Sequence, residues 1–185
     1  LSILLLLAFL LVVHFFRDPD RIIPNTNGII SPADGKIILV DTAEENVFLN
    51  RKMKRTCIFL SIFDCHIARV PFSSEVIETR YYPGKFNFAN SDECIENERL
   101  HIHLKAKDGK DCVLILFAGF IARRIVPFVS KGNILNLGDK LGIIKFGSRV
   151  DIYVPSDYGT NFKTGDEVVA GETILYNKVD LELQG

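Results

Sequence analysis

Most of the chain after residue 28 consists of short β-type runs separated by turn residues, and this pattern limits the fold more than any other feature. Runs rich in β-branched and aromatic residues, bounded by glycine, proline, asparagine or aspartate, predict strands. The clearest runs are residues 36–40, 56–62, 75–82, 99–105 and 112–119. Asp-Gly steps at 34–35 and 108–109 predict hairpin turns. Because no long apolar repeat of 3.6 residues follows the N-terminus, the sequence predicts a mostly β fold, a barrel or a sandwich.

The size and charge of the chain narrow its class. With 185 residues and 48% hydrophobic side chains, it is long enough for one domain with a sizeable core and an appendage. The formal net charge of −1 does not suggest the basic surface that nucleic acid requires, so we expect no nucleic-acid partner. The four cysteines form no CxxC pair and lack the spacing of a zinc site. We expect free thiols in a reducing compartment and no metal.

The first sixteen residues are almost wholly apolar, with polar side chains only at Ser2 and His14. A bilayer span needs about 20 apolar residues, so this run is slightly short. Because the sequence begins at Leu1 rather than methionine, we expect the natural protein to be longer at this end. The run predicts an N-terminal membrane helix, and a buried core helix is the alternative.

These patterns divide the chain into three parts. We predict a membrane anchor over residues 1–16, a linker with turns over 17–28 and a main domain over 29–185. Arg17 and Arg21 directly follow the apolar run. Positive charge at this position predicts that the main domain is held at the cell membrane and faces the cytoplasm.

The C-terminal part has a pattern of its own. Residues 164–174, TGDEVVAGETI, resemble the turn of a barrel-sandwich hybrid, the fold of lipoyl and biotinyl domains. Those domains carry an attachment lysine at a hairpin tip, whereas this chain offers Gly147 and Ser148 there, with Lys145 two residues earlier. We expect a barrel-sandwich-hybrid-like part near the C-terminus. A non-catalytic, membrane-tethered carrier or scaffold module is the alternative function that this resemblance leaves open.

Two short segments carry candidate catalytic residues. In SPADG, residues 31–35, Asp34 precedes a glycine, and a turn in which Asp34 only caps the backbone is the simpler interpretation. In SIFDCHIARVP, residues 61–71, His66 follows an apolar run and has Asp64 nearby. An imidazole titrates near neutral pH, so His66 could act as a base, with a neighbouring carboxylate to orient it.

Two further pairs of residues allow more than one interpretation. His101 and His103 alternate with apolar residues, which places both on one face of a strand. Without a third ligand nearby, we expect a solvated strand face rather than a metal site. Arg123 and Arg124 could bind a phosphate, and an ion-paired surface is the alternative.

Taken in order, these segments resemble the phosphatidylserine decarboxylase family in its short, archaeal-like form. The matching blocks extend from residue 15 to residue 175 and cover nearly the whole chain. They are FFRDPDRIIP, ISPADGKI, SIFDCHIARVP, YYPGKFNFAN with NER, ARRIV, and KFGSRVDIYVP followed by GDEVVAGETIL.

The resemblance implies a precursor that cuts itself between Gly147 and Ser148, giving a β chain that ends at 147 and an α chain that starts at 148. Ser148 would attack the Gly147 carbonyl and then be converted to a covalent pyruvoyl group. That group would serve as the cofactor of a decarboxylase that turns phosphatidylserine, or a related serine phospholipid, into phosphatidylethanolamine and carbon dioxide.

The resemblance also assigns roles to other residues. His66 would be the base and Asp34 would orient it, although Asp64 could take that place. Many bacterial members have a second histidine three positions after the first, where this chain has Arg69. The residues we single out as candidates for binding substrate are Arg69, Tyr82, Phe86, Arg123 and Arg124. Core packing is the alternative for the YYPGKF segment.

The expected partners follow from the same resemblance. They are a phosphatidylserine-type lipid, the membrane that contains it, and the α and β chains of one precursor. A homo-oligomer is compatible with the sequence but is not indicated by it.

Overall fold

The computed structural model describes residues 1–84, 96–119, 124–145 and 148–179. Within them the chain forms one helix, α1 (Ser2–Phe15), and fourteen strands. The strands are β1 (Ile29–Ile30), β2 (Gly35–Glu45), β3 (Arg51–Leu60), β4 (Ile67–Arg69), β5 (Ser74–Tyr82), β6 (Arg99–Lys105), β7 (Asp111–Phe117), β8 (Arg124–Pro127), β9 (Ile134–Leu135), β10 (Lys140–Lys145), β11 (Ser148–Val154), β12 (Tyr158–Gly159), β13 (Glu167–Val168) and β14 (Ile174–Lys178). The prediction of a mostly β fold is confirmed. Three of the predicted site residues, Phe86, Arg123 and Gly147, lie outside the described residues.

Eight of the strands form one antiparallel sheet in the order β13-β2-β3-β11-β7-β6-β5-β9. Its two edge strands, β13 and β9, do not pair with each other in the described part of the chain, so the sheet is a curled half-barrel rather than a closed barrel. Two three-stranded sheets, β1-β14-β12 and β4-β10-β8, complete the body. Strand β11 lies near the middle of the large sheet, between β3 and β7.

Side chains alternate between the two faces of each strand, and the main core lies on one of them, which we call the inner face. On β11 the inner residues are Val150, Ile152 and Val154. Neighbouring strands contribute Ile58, Leu60, Leu114, Leu116, Leu100 and Ile102 to the same core. Full burial of such a side chain stabilises the fold by roughly 1.5–3 kcal/mol. Because this core packs against β11, it holds the side chains of that strand in fixed positions.

The opposite face of the sheet, the outer face, is also covered near its centre. Met53, Val113, Ile115, Phe117 and Tyr153 form a second cluster there, against Phe48 and Leu49 from the turn between β2 and β3. All seven residues of β11 are therefore buried.

Burial of the outer face overturns one expectation. His101 is 5% and His103 is 9% exposed, so the predicted solvated strand face is wrong. The Phe48 ring lies 6.4 Å from the His101 ring and 5.6 Å from the His103 ring, measured between centroids, and covers both. His103 Nε2 is 2.8 Å from Asp111 Oδ1.

The two Asp-Gly steps have different outcomes. The step at 108–109 forms the predicted hairpin between β6 and β7, closed by a hydrogen bond from Ala106 N to Lys110 O. The step at 34–35 does not join two paired strands, because β1 pairs with β14 and β2 with β3 and β13. Gly35 instead has a φ of +138°, and a Cβ there would lie 2.1 Å from Phe59 O. The glycine therefore allows the start of β2 to pass close to the end of β3.

At the N-terminus, α1 is fourteen residues long and most of its side chains are exposed. The alternative of a buried core helix is therefore wrong. Within the residues that the structure describes, no helix has the length and apolarity needed to cross a membrane. The C-terminal end of α1 contacts the main domain, since Arg17 donates a hydrogen bond of 2.8 Å to Phe63 O and His14 Nε2 lies 3.2 Å from the same oxygen.

Candidate active site

Ser148 is the first residue of β11 and lies on the inner face, in phase with Val150 and Ile152. Its backbone pairs with Leu60, the last residue of β3. The side chain is fully buried, and its Oγ has no hydrogen-bond partner among the described residues. A buried hydroxyl without a partner costs about 1–3 kcal/mol, so such groups are rare in folded proteins. Where one persists, a chemical role is a better explanation than stability.

His66 lies in the loop between β3 and β4, and its ring is fully buried. Its Nδ1 is 3.0 Å from the backbone oxygen of Asp64. A carbonyl oxygen only accepts hydrogen bonds, so the neutral ring must carry its proton on Nδ1. Nε2 then holds a lone pair, and this atom is buried without a partner among the described residues. His66 is thus held in the tautomer that a general base requires.

The chain brings Ser148 and His66 to the same end of the sheet. The loop that carries His66 starts directly after Leu60, which pairs with Ser148. The other side of this loop is fixed to β10, because Ile144 N donates a hydrogen bond of 3.1 Å to His66 O. Ile144 precedes Ser148 by only four residues. A hydroxyl and an imidazole lone pair, both buried and unpartnered, are therefore held by adjacent segments of backbone.

Burial also sets the charge of His66. The Phe15 ring at the end of α1 packs on the imidazole, with 4.2 Å between centroids. Burial lowers the pKa of His66 from 6.5 to about 4, against the opposing effect of its hydrogen bond to the Asp64 backbone. The ring is therefore neutral at cellular pH, and its Nε2 lone pair carries no proton.

Neither candidate orienting carboxylate is hydrogen-bonded to the His66 ring. The Asp34 carboxylate accepts hydrogen bonds from the Arg21 guanidinium at 2.8 Å and from Ala170 N at 2.7 Å. The Asp64 carboxylate caps the loop by accepting from Ser61 N at 2.7 Å. Asp64 contacts the ring through its main-chain carbonyl, and both carboxylates raise the His66 pKa through their charge. An orienting role for Asp34 stays a prediction.

The Arg69 guanidinium donates hydrogen bonds to the linker and to a neighbouring turn. Its guanidinium donates to Asp18 Oδ1 at 2.8 Å, to Pro19 O at 3.3 Å and to Gly138 O at 3.1 Å. Lys140 forms a second ion pair with Asp18. Arg69 thus links residues 18–19 of the linker to the sheet.

The remaining described candidates lie in different places. Tyr82 is on the outer face, where its ring packs on His101 at 5.1 Å and under the Arg99 guanidinium at 4.7 Å. It is separated from Ser148 by the sheet itself. Arg124 is exposed and pairs across β8 and β10 with Lys145, three residues before Ser148. These two cations are therefore close in sequence and register to the predicted cut.

Sequence reasoning missed two features of this site. The sequence places Phe15, whose ring packs on the His66 ring, only in the apolar run and at the start of the block FFRDPDRIIP, with no link to His66. Arg149 and Asp151 are almost fully buried on the outer face of β11. Two charges two residues apart in an otherwise apolar strand were the signal that could have revealed the second feature.

We expect the free energy of unfolding to fall as the pH decreases from about 6.5 to about 4, because two imidazoles are buried in the neutral form. Burial lowers the pKa of His101, like that of His66, to about 4. Over this interval the unfolded chain binds a proton at each histidine and the folded chain does not. Each histidine then removes up to roughly 3 kcal/mol by pH 4.

The measurement is urea unfolding at several pH values in a Ser148→Ala background, which removes the nucleophile of the predicted cleavage and so should keep every sample in one chain. His101→Phe is the informative variant, because neither ring nitrogen of His101 has a partner among the described residues and the aromatic contacts can be retained. We expect about half of the histidine-dependent slope to disappear. Identical slopes in the two proteins would contradict the prediction.

Comparison with known proteins identifies the family of this chain. The family model for phosphatidylserine decarboxylase matches residues 8–176. A protein of Desulfotalea psychrophila named phosphatidylserine decarboxylase proenzyme is 40% identical over 177 residues, which cover 95% of this chain and 83% of the relative. Proteins of the same name from Geotalea uraniireducens and Erythrobacter litoralis are 42% identical, covering 95% and 91% of this chain and 83% and 74% of those relatives. The chain belongs to the phosphatidylserine decarboxylase family.

Proposed function

We propose that this chain is the self-cleaving precursor of a decarboxylase that acts on phosphatidylserine or a closely related serine phospholipid. The observation that carries the proposal is the pair of buried, unpartnered atoms, Ser148 Oγ and His66 Nε2, at one end of the central sheet. Family membership and the name of the relatives, phosphatidylserine decarboxylase proenzyme, support the same conclusion.

In the proposed cleavage, Ser148 Oγ passes its proton to His66 Nε2 and attacks the carbonyl carbon of Gly147. The bond between that carbon and the nitrogen of residue 148 breaks, and the nitrogen takes the proton, which leaves an ester and an amine. In the elimination, a base takes the α proton of residue 148 and the Cβ–Oγ bond breaks, which releases the chain that ends at Gly147 as a carboxylate and leaves dehydroalanine. The dehydroalanine takes a proton at Cβ to become an imine, and water hydrolyses the imine to a pyruvoyl group and ammonia.

The residues present fit this conversion. The Ser148 side chain, from which the group would form, is buried next to the apolar core, and such surroundings favour an uncharged carbonyl over a charged amine. The neutral His66 ring can accept the serine proton and return it to the leaving nitrogen, which is the role of a base in nucleophilic catalysis. The pyruvoyl carbonyl supplies an electron sink for the decarboxylation, a task that cofactors perform because side chains cannot.

Other residues support a phospholipid as the substrate. Arg124 and Lys145 present two cations close to the predicted cut, and phosphate is a natural partner for such a pair. Exposed apolar side chains of α1, together with Phe16 and Phe63 beside its end, offer a surface for acyl chains or a bilayer.

We propose that α1 holds the enzyme at the cell membrane, with the main domain on the cytoplasmic side. Arg17, at the end of the helix, has the charge expected next to anionic lipid heads. In the same scheme, residues 1–16 are the anchor, 17–28 the linker and 29–185 the catalytic domain. The C-terminal part from residue 164 is barrel-sandwich-hybrid-like, and it becomes part of the α chain after cleavage.

Intact-mass spectrometry of the denatured wild type tests the proposal. We expect two fragments, residues 1–147 and 148–185, the second lighter by one ammonia than a peptide that starts with serine. Vesicles that contain phosphatidylserine should then release carbon dioxide and gain phosphatidylethanolamine. A single uncut mass in the presence of membrane would overturn the proposal and favour the non-catalytic carrier or scaffold.

A further inference from the structure

We propose that Arg149 is a positioning residue for self-cleavage. Its buried side chain fixes the start of β11, so that Ser148 is held against the bond that it attacks. The inference rests on the proposed function, because it concerns how the same serine is placed. It assigns a role to a group of residues on the outer face that we call the Arg149 clamp: Arg149, Asp151, Cys57 and Phe117.

The clamp begins with a two-pronged ion pair within β11. Arg149 Nε donates to Asp151 Oδ1 at 2.6 Å, and Arg149 Nη2 donates to Asp151 Oδ2 at 2.9 Å. Residues two apart on a strand share a face, so this pairing locks the Arg149 side chain along its own strand. Because the planar guanidinium makes two parallel hydrogen bonds to the carboxylate, the pair also fixes the orientation of the Arg149 side chain, which a lysine at this position would not do.

The clamp also ties β11 to both of its neighbours. Arg149 Nη2 lies 3.0 Å from Cys57 Sγ on β3, and the guanidinium lies 5.5 Å from the centre of the Phe117 ring on β7. Burial raises the pKa of the Cys57 thiol, so it stays neutral and its sulfur can accept the hydrogen bond. One side chain therefore connects three adjacent strands at the end where the cut occurs.

The backbone register shows why this end needs support. Arg149 is paired on both sides, with Phe59 and with Phe117. Among the residues that the structure describes, Ser148 is paired only with Leu60, because the pairing of β11 with β7 starts at Arg149. In this part of the chain, Arg149 is therefore the first residue of β11 that is paired with both neighbouring strands. The position of the attacking oxygen depends on how rigidly its neighbour is fixed.

The burial of the Arg149 clamp indicates that it positions β11 rather than adding to the stability of the fold. Arg149 is 6% and Asp151 is 2% exposed. A buried ion pair contributes little net stability compared with apolar side chains of similar size, because both charges lose their hydration. What such a pair does supply is a defined arrangement. Cleavage adds a further need, since residue 148 then becomes a chain end, and chain ends fray unless they are tied down.

The test compares two arginines on the same face of the sheet. Arg55 also makes a two-pronged ion pair, to Asp41 at 2.9 and 2.6 Å, but it pairs across from Tyr153 at the other end of β11. We would measure the half-time of cleavage for the wild type, Arg149→Lys, Arg149→Met and Arg55→Met, with and without hydroxylamine, and record thermal unfolding of each protein.

We expect Arg149→Met to slow cleavage on the order of 100-fold, the cost of misplacing a reacting group by about 1 Å. Arg149→Lys should also be slowed while its unfolding temperature stays close to that of the wild type, and Arg55→Met should cleave within about twofold of the wild-type rate. Hydroxylamine, which cuts an ester, should not restore the slow variants, because the clamp acts on the attack that forms the ester.

Three results would overturn the inference. The first is cleavage of Arg149→Lys at the wild-type rate, which would overturn the inference even if Arg149→Met failed to fold. Equal slowing by Arg55→Met, in proportion to lost thermal stability, would assign the clamp to stability alone. Rapid cutting of the slow variants by hydroxylamine would show that their ester forms normally and that the slowed step is the elimination. An uncut wild type would instead refute the proposed function, which separates the two failures.

Discussion

Replacing Ser148 with alanine is expected to abolish cleavage and decarboxylation completely, and to leave one chain of 185 residues. The proposed mechanism uses Ser148 Oγ twice, first to attack and then as the atom that departs in the elimination, so no step can begin without it. The fold should survive, because the side chain is buried without a hydrogen-bond partner among the described residues and its loss unpairs nothing there. Denaturing electrophoresis and intact mass measure the outcome.

Two companion variants make this result specific. Ser156→Ala removes an exposed hydroxyl from the turn that follows β11, and we expect it to cleave like the wild type. Ser148→Thr retains the nucleophile, so we expect slow cleavage and a C-terminal fragment heavier by one methylene than that of the wild type. The added methyl group must fit into a fully packed site, which explains the lower rate. Cleavage of Ser148→Ala at residue 147 would refute the assignment of the nucleophile.

The alternation of side chains allowed much of the local structure to be predicted from the sequence. The β-type runs became strands of the large sheet, and the apolar positions of β11 fell on the inner face. Because Ser148 is in phase with Val150 and Ile152, its direction toward the core follows from the same period of two. The sequence motifs also singled out Ser148 and His66, which the fold brings to one end of the sheet.

Contacts between distant segments could not be predicted in the same way. Nothing local indicated that Phe48 would cover His101 and His103, so a buried face was mistaken for a solvated one. Curling of the sheet without closure depends on which edge strands meet, and that is decided by the whole topology. Two of the three acceptors of the Arg69 guanidinium, Asp18 and Pro19, lie about fifty residues earlier, in the linker. Local patterns carry no information of this kind.

Burial of His66 determines more of the proposed chemistry than any nearby charge. A histidine on the surface would be partly protonated near pH 6.5 and partly unable to act as a base. The Phe15 ring and the loop around His66 exclude water, which keeps the imidazole neutral. The same closure ties the apolar N-terminal helix to the catalytic machinery, since the last residue of α1 supplies this ring. The proposed attachment to lipid and the proposed cleavage would therefore share one contact, between Phe15 and His66.

Removal of the His66 ring should slow cleavage by about 10²- to 10⁴-fold, the usual contribution of a general base. His66→Ala takes away the buried imidazole nitrogen, Nε2, that has no partner among the described residues at the Ser148 end of the sheet. It also opens a space beneath Phe15 that free imidazole can enter. We therefore expect added imidazole to restore cleavage of the purified, uncut variant, which also gives the reaction a defined start.

The pH dependence of this restored cleavage distinguishes catalysis from a structural role. Free imidazole titrates near neutral pH, so the restored rate should fall below about pH 7. Wild-type cleavage should stay constant down to about pH 5 and fall only as the pH approaches 4, the pKa of the buried ring. His101→Ala is the matched control, since it truncates a second buried imidazole of the same lowered pKa on the outer face. If His101→Ala were equally slow and equally restored by imidazole, the base would not be His66.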